Sequence, residues 1–95
     1  MPENGWWTEP RRHGRRNLLS TVYYCLNPRS DEGLLIGSGI DISESGMSMV
    51  TSYPLKKGQN VIIKSSLPVP HRRAIVRWVM ELNENCYQAG LEFMI

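Results

Sequence analysis

The chain has 95 residues, which is enough for one domain with a single small core. Hydrophobic residues make up 41% of it and charged residues 21%, a balance that excludes a chain disordered throughout. The formal net charge of +2 is too small for a general nucleic-acid binder. No apolar run reaches the roughly 20 residues that a membrane span needs, and the first residues lack a secretory signal, so we expect a cytoplasmic protein without membrane insertion.

The N-terminal residues divide into a tail and a basic segment. Residues 1–10 show no hydrophobic period and contain two prolines and a glycine, so we expect a flexible tail. The next residues read Arg11-Arg12-His13-Gly14-Arg15-Arg16 and hold four of the eleven basic residues of the chain. A solvated charge run is the simplest explanation of this pattern. We interpret residues 11–17 as an arginine-rich loop that stands directly before the first strand.

Alternating apolar and polar residues predict six strands separated by turns, and no segment carries a helical stripe. The predicted strands cover Leu18–Asn27, Leu34–Ser43, Met47 to about Ser52, Asn60–Ser66, His71–Leu82 and Tyr87–Met94. An antiparallel sheet of this size removes its exposed edges by closing into a small barrel. We therefore predict an all-β fold, a small six-stranded antiparallel β-barrel, in which residues 11–95 form one domain.

The second predicted strand breaks into a turn at Asp41-Ile42-Ser43-Glu44-Ser45-Gly46. Strict alternation places Asp41 and Ser43 on a face that is otherwise formed by Leu35 and two glycines. Capping of turn amides is the simplest role for these two side chains. A carboxylate and a hydroxyl on a nearly bare strand face also suit a flat ligand. We expect Gly46 to adopt a positive φ in the turn.

The arginines and the carboxylate together suit an anionic guanine nucleotide. A guanidinium pairs bidentately with phosphate or with the O6 and N7 edge of guanine, and it stacks on bases. A carboxylate accepts from the N–H groups on the opposite edge of guanine, where arginine cannot bind.

These residues form two motifs, and their combination resembles the signature of the PilZ domain family. Arg11 to Arg15 and Arg12 to Arg16 each fit RxxxR, and residues 41–46 fit D/NxSxxG. In that family the two motifs bind the bacterial second messenger cyclic di-GMP on the outside of a six-stranded β-barrel. The ending Tyr87-Gln88-Ala89-Gly90-Leu91-Glu92-Phe93 is similar to the family's final strand, so the resemblance extends over residues 11–93.

The resemblance implies which residues bind the ligand. It implies that the residues that stack on a base or contact phosphate or guanine are Arg11, Arg12, Arg15 and Arg16. Asp41 and Ser43 contact the base edge, and Gly46 allows the ligand to approach the backbone closely. Both arginine registers stay open, and we favour Arg11 with Arg15. Trp78 is an eighth candidate, because the family often carries a large residue on the fifth strand near the ligand. A core position beside Val76 is equally compatible with the pattern, and Arg77 is expected to point away from Trp78.

The resemblance further implies a stand-alone cyclic di-GMP receptor that regulates a partner protein in motility, exopolysaccharide synthesis or signalling. Many relatives continue into a C-terminal helix, whereas this chain stops at Ile95, so we expect little or no such helix. We also expect a monomer or weak dimer. One alternative is a PilZ-type interaction adaptor that works without ligand. Another is a small barrel that binds single-stranded nucleic acid, although we expect no DNA or RNA partner.

No pattern in the sequence predicts an enzyme, a metal site or a cofactor. The chain has no nucleophile with a paired base and no P-loop. Cys25 and Cys86 have neither CxxC spacing nor a nearby histidine pair, so we expect them to be small buried residues rather than zinc ligands.

Overall fold

A computed structural model of the chain describes residues 16–26 and 33–94. It contains seven strands: β1 (Arg16–Asn17), β2 (Thr21–Cys25), β3 (Leu35–Ile42), β4 (Gly46–Thr51), β5 (Asn60–Ile63), β6 (Arg73–Asn83) and β7 (Cys86–Phe93). Within these described ranges there is no helix, and hence none that is long and apolar enough to cross a membrane. The predicted tail at residues 1–10 lies outside the described residues.

All strands pair antiparallel in one seven-stranded sheet with the order β1-β3-β2-β5-β6-β7-β4. An additional pairing of β3 with β4 closes the sheet on itself. Strands β2 to β7 therefore form a closed barrel of six strands, and β1 is an extra strand on the edge of β3. The predicted all-β, six-stranded antiparallel barrel is confirmed.

The first predicted strand is in fact two strands on the same edge of β3. Asn17 lies opposite Asp41, and Thr21 lies opposite Ser38, so the N-terminal segment holds one more residue than β3 between these pairs. Leu19 in this segment has a φ of 45°, the left-handed conformation of a bulge residue. Our expectation of one continuous strand from Leu18, preceded by a loop to residue 17, was wrong on this point.

The barrel interior is filled by side chains from every strand of the closed barrel. These buried residues are Val22, Tyr24, Ile42, Met47, Met49, Val61, Ile63, Ala74, Val76, Ala89, Leu91 and Phe93. The hydroxyl of Tyr24 forms a buried hydrogen bond of 2.6 Å with Oγ1 of Thr51. Burial raises the pKa of the Tyr24 phenol above its usual value, since the charged form loses its hydration. The apolar interior leaves the outer face of the sheet for polar groups.

One irregularity in β3 reverses the face that strict alternation predicts for Asp41. The register between β3 and β4 shifts between Gly39 and Asp41, which makes Ile40 the extra residue. Gly37 and Gly39 face the interior, because a Cβ there would lie 2.9 Å from Sδ of Met49 and 2.8 Å from Cγ of Leu18, respectively. Asp41 is opposite Ser48, on the outer face. The prediction that Asp41 shares a face with the glycines was therefore wrong.

Candidate ligand-binding site

Five residues lie side by side across the outer face of the barrel. In the order β1-β3-β4-β7-β6 they are Asn17, Asp41, Ser48, Gly90 and Trp78, each opposite the next in the strand registers. We call this set the outer row. Neighbouring strands are about 4.8 Å apart, so the path along the curved sheet from the backbone of Asp41 to that of Trp78 is about 14 Å. From Asp41 onward the row thus passes from a carboxylate, over two small residues, to an indole.

The carboxylate of Asp41 is held in place by a side chain of the next strand. Oγ of Ser48 donates a hydrogen bond of 3.0 Å to Oδ1 of Asp41, and Ser48 is completely buried. Sequence reasoning did not identify Ser48. Its signal is the alternation Met47-Ser48-Met49, because two core methionines fix the serine to the outer face beside the motif turn.

Ser43 is bound within the turn between β3 and β4. Its Oγ accepts a hydrogen bond from the Ser45 amide at 3.2 Å, and its own amide donates to the Gly46 carbonyl at 2.8 Å. The side chain is only 3% exposed, so its capping role is the one that the local geometry displays. The expectation of a positive φ at Gly46 was wrong, since the described glycines with positive φ are Gly33 and Gly58. Gly46 is instead the first residue of β4.

A second irregularity places Trp78 on the outer face. The register between β6 and β7 shifts between Val76 and Trp78, which makes Arg77 the extra residue. A Cβ on Gly90 would lie 2.8 Å from Cδ1 of Trp78 and closer still to two other indole atoms, so the indole lies directly over this glycine. A core position for Trp78 beside Val76 is therefore excluded, and Val79 takes the inward position instead.

The same bulge brings Arg77 to the side of the barrel on which Trp78 lies. Nε of Arg77 is 2.5 Å from Oε1 of Glu92, and both side chains are partly exposed. Glu92 lies two residues from Gly90 on β7 and therefore shares its outer face. Our expectation that Arg77 and Trp78 project to opposite faces assumed a regular strand and was wrong.

The outer row and its neighbours place on one surface the second motif, an aromatic ring and an ion pair. The sequence profile of the PilZ domain matches residues 9–95, which include both arginine registers and the motif turn. The chain belongs to the PilZ domain family. No curated protein matches the chain significantly. PilZ domains form a family of cyclic di-GMP-binding domains, which act by binding rather than by catalysis.

The arginine-rich segment of this PilZ domain joins the barrel at β1. Arg16 is exposed and lies opposite Ile42, and the next residue, Asn17, lies opposite Asp41. The segment therefore enters the fold beside the carboxylate of the outer row. Arg11, Arg12 and Arg15 lie outside the described residues.

In this PilZ domain the described residues offer binding groups rather than a metal centre. Residues 16–26 and 33–94 contain no group of three His, Cys, Asp or Glu side chains that could hold a metal ion. Neither Cys25 nor Cys86 is part of a disulfide; the first is buried as expected, and the second is only half-buried. The surface across β3, β4, β7 and β6 instead combines a hydrogen-bond acceptor, an aromatic ring and a guanidinium, which are the groups that recognise a nucleotide.

Proposed function

We propose that this PilZ domain is a stand-alone receptor for cyclic di-GMP. The observation that supports the proposal most strongly is the outer row, which brings Asp41 and Trp78 onto one face beside the strand into which the arginines lead. A carboxylate and an aromatic ring at this separation suit a ligand with two guanine bases and phosphates between them.

Each group has a distinct role in the proposed complex. The carboxylate of Asp41 accepts hydrogen bonds from the N1–H and the amino group of a guanine, and Ser48 fixes its orientation. The RxxxR arginines bind phosphate and the O6 and N7 edge, or stack on a base. Trp78 packs beside a base, with Gly90 as the flat support of the indole. Ser43 and Gly46 shape the turn next to the ligand.

The receptor acts through the surface that it offers to a partner protein. A ligand that binds the arginines and the outer row together holds the N-terminal segment against the barrel. The bound and free states then differ in the surface next to β1 and β3, and a partner with different affinities for the two surfaces responds to the ligand. We place this activity in the cytoplasm, in the control of motility, exopolysaccharide synthesis or signalling.

Isothermal titration calorimetry with cyclic di-GMP tests the proposal directly. We expect a micromolar or tighter Kd, which corresponds to about 8 kcal/mol, and a stoichiometry that distinguishes one bound nucleotide from a stacked pair. The linear dinucleotide and cyclic di-AMP serve as competitors that carry similar charge. A flat titration of a folded sample contradicts the proposal and favours the ligand-independent adaptor.

Four variants test the assignment of residues. Asp41→Ala and Arg15→Ala should each weaken binding by at least about tenfold, since each removes a charge-assisted hydrogen bond. Glu84→Ala and Lys57→Ala are the matched controls, because both side chains are exposed in turns away from the outer row and their removal changes the charge equally. Wild-type affinity in Asp41→Ala contradicts the site.

The arginine register and the nucleic-acid alternative need separate measurements. Paired variants at positions 11 and 15 should abolish binding more completely than those at 12 and 16 if our favoured register is used. Titrations at increasing salt address the alternative, because a single-strand binder loses affinity steeply with salt and tolerates many sequences. Retained selectivity for the cyclic dinucleotide contradicts that alternative.

A further inference from the structure

The ion pair of Arg77 and Glu92 lies inside the proposed site rather than beside it. Glu92 is opposite Gly46 of the motif turn on β4, and it lies two residues from Gly90, which supports the indole of Trp78. The Phe93 amide donates to the Ser45 carbonyl at 2.9 Å and ties the turn to this end of β7. A ligand that reaches from Asp41 to Trp78 must therefore pass close to this pair.

The pair is held by one short contact and is easily opened. Nε of Arg77 is 2.5 Å from Oε1 of Glu92, while the side chains are 44% and 39% exposed. Exposed ion pairs of this kind contribute little to stability, because water solvates both charges once they separate. Breaking the contact therefore costs the fold little, and the carboxylate returns to solvent.

We propose that Glu92 competes with the ligand for Arg77, a step that rests on the proposed function. In the free protein the carboxylate of Glu92 occupies the guanidinium, and a phosphate of the bound dinucleotide takes its place. A phosphate brought next to an unmoved Glu92 would meet a like charge, whereas the exchange gives it a planar guanidinium that suits bidentate pairing. Glu92 thus lowers the affinity of the site, and Arg77 becomes a phosphate-binding residue in the complex.

Calorimetric titration of cyclic di-GMP into two variants tests the competition. Glu92→Gln should tighten the Kd about fivefold and Arg77→Gln should weaken it about fivefold, which are the effects of one exposed charge contact. Glu84→Gln is the matched control for charge, because about 20 Å of strand separates it from Glu92 and salt screens that distance. In an Arg77→Gln background, Glu92→Gln should tighten the Kd less than it does in the wild type.

The wild-type protein supplies a second measurement that depends on no variant. The Arg77 Nε–H resonance should be displaced and protected from exchange in the free protein by its carboxylate acceptor, and it should move when cyclic di-GMP saturates the site. An unmoved resonance at saturation overturns the competition, and so does a Glu92→Gln variant that binds equally well or more weakly. If the wild-type protein does not bind cyclic di-GMP, both the proposed function and the competition are overturned. If it binds but the Arg77 resonance does not move, only the competition is overturned, so the two failures are distinguishable.

Discussion

Replacing Gly90 by alanine should detach Trp78 from the sheet. The new methyl group would lie 2.8 Å from Cδ1 of the indole, and closer to two other ring atoms, so the ring must rotate away or lift. Gly90 pairs with Trp78 on one side and Ser48 on the other, which leaves the backbone little room to yield. The substitution therefore acts on the side chain and not on the core.

The expected loss of stability follows from the apolar area that becomes exposed when the indole leaves the sheet. A tryptophan buries about 150–250 Å², and loss of roughly half of this costs about 2.5 kcal/mol at about 25 cal/mol per Å². Alanine returns up to about 1 kcal/mol, because it restricts the unfolded chain more than glycine does. The net loss of about 1.5 kcal/mol should lower Tm by about 10 °C in a domain of this size.

Thermal unfolding of a double-mutant cycle with Trp78→Leu measures this effect. Gly90→Ala should destabilise the wild type but should be neutral or slightly stabilising once the indole is absent, since the clash has then been removed. The same variant should also weaken cyclic di-GMP binding by displacing the proposed base contact. An equal loss of stability in both backgrounds would refute the assignment of the clash to the indole.

Three further predictions concern the core, the carboxylate and the β1–β2 bulge. Tyr24→Phe should cost about 1–2 kcal/mol in urea unfolding through the lost buried hydrogen bond. Burial raises the pKa of Tyr24 above 10.0, so above that pH the folded state keeps a proton that the unfolded state releases. The free energy of unfolding of the wild type should therefore fall as pH rises above 10.0. A similar fall in Tyr24→Phe would contradict this explanation. Ser48→Ala should weaken cyclic di-GMP binding about fivefold, as measured by calorimetry, because Ser48 orients the Asp41 carboxylate. In an Asp41→Ala background it should have no further effect. Additive losses of affinity would contradict this role of Ser48. Leu19→Gly should raise the free energy of unfolding in urea by about 0.5–1 kcal/mol, because Leu19 has a φ of 45°, which glycine adopts without strain, and its side chain is 76% exposed. A lower free energy of unfolding would show that no strain is stored there.

The strands were predictable from the sequence because residue type follows the two faces of the sheet over most of the chain. Met47 and Met49 are buried and Ser48 lies between them on the other face, as alternation requires. The segment Cys86–Phe93 behaves in the same way, with Ala89 and Leu91 in the core. Where every residue obeys the period of two, sequence and structure agree.

The faces of the site residues were not predictable, because a bulge leaves the apparent alternation intact. Ile40 and Ile42 continue the apolar pattern of β3, although only Ile42 is fully buried. In β6, Arg77 follows the core residue Val76, and a regular strand would place an outward polar residue at the same position. The polar character of Arg77 therefore does not reveal the bulge. A single-residue shift in register is decided by tertiary pairing with the neighbouring strand, and no local propensity marks it.

The two bulges explain why the outer row exists at all. Gly39 faces inward, so a regular β3 would turn Asp41 inward as well, two residues later. Val76 is a core residue, so a regular β6 would turn Trp78 into the interior. One extra residue in each strand reverses both side chains, and bulges are commonly used to redirect side chains next to functional sites. The barrel can therefore keep its apolar interior while the carboxylate and the indole, on strands three apart, both lie on its outer surface.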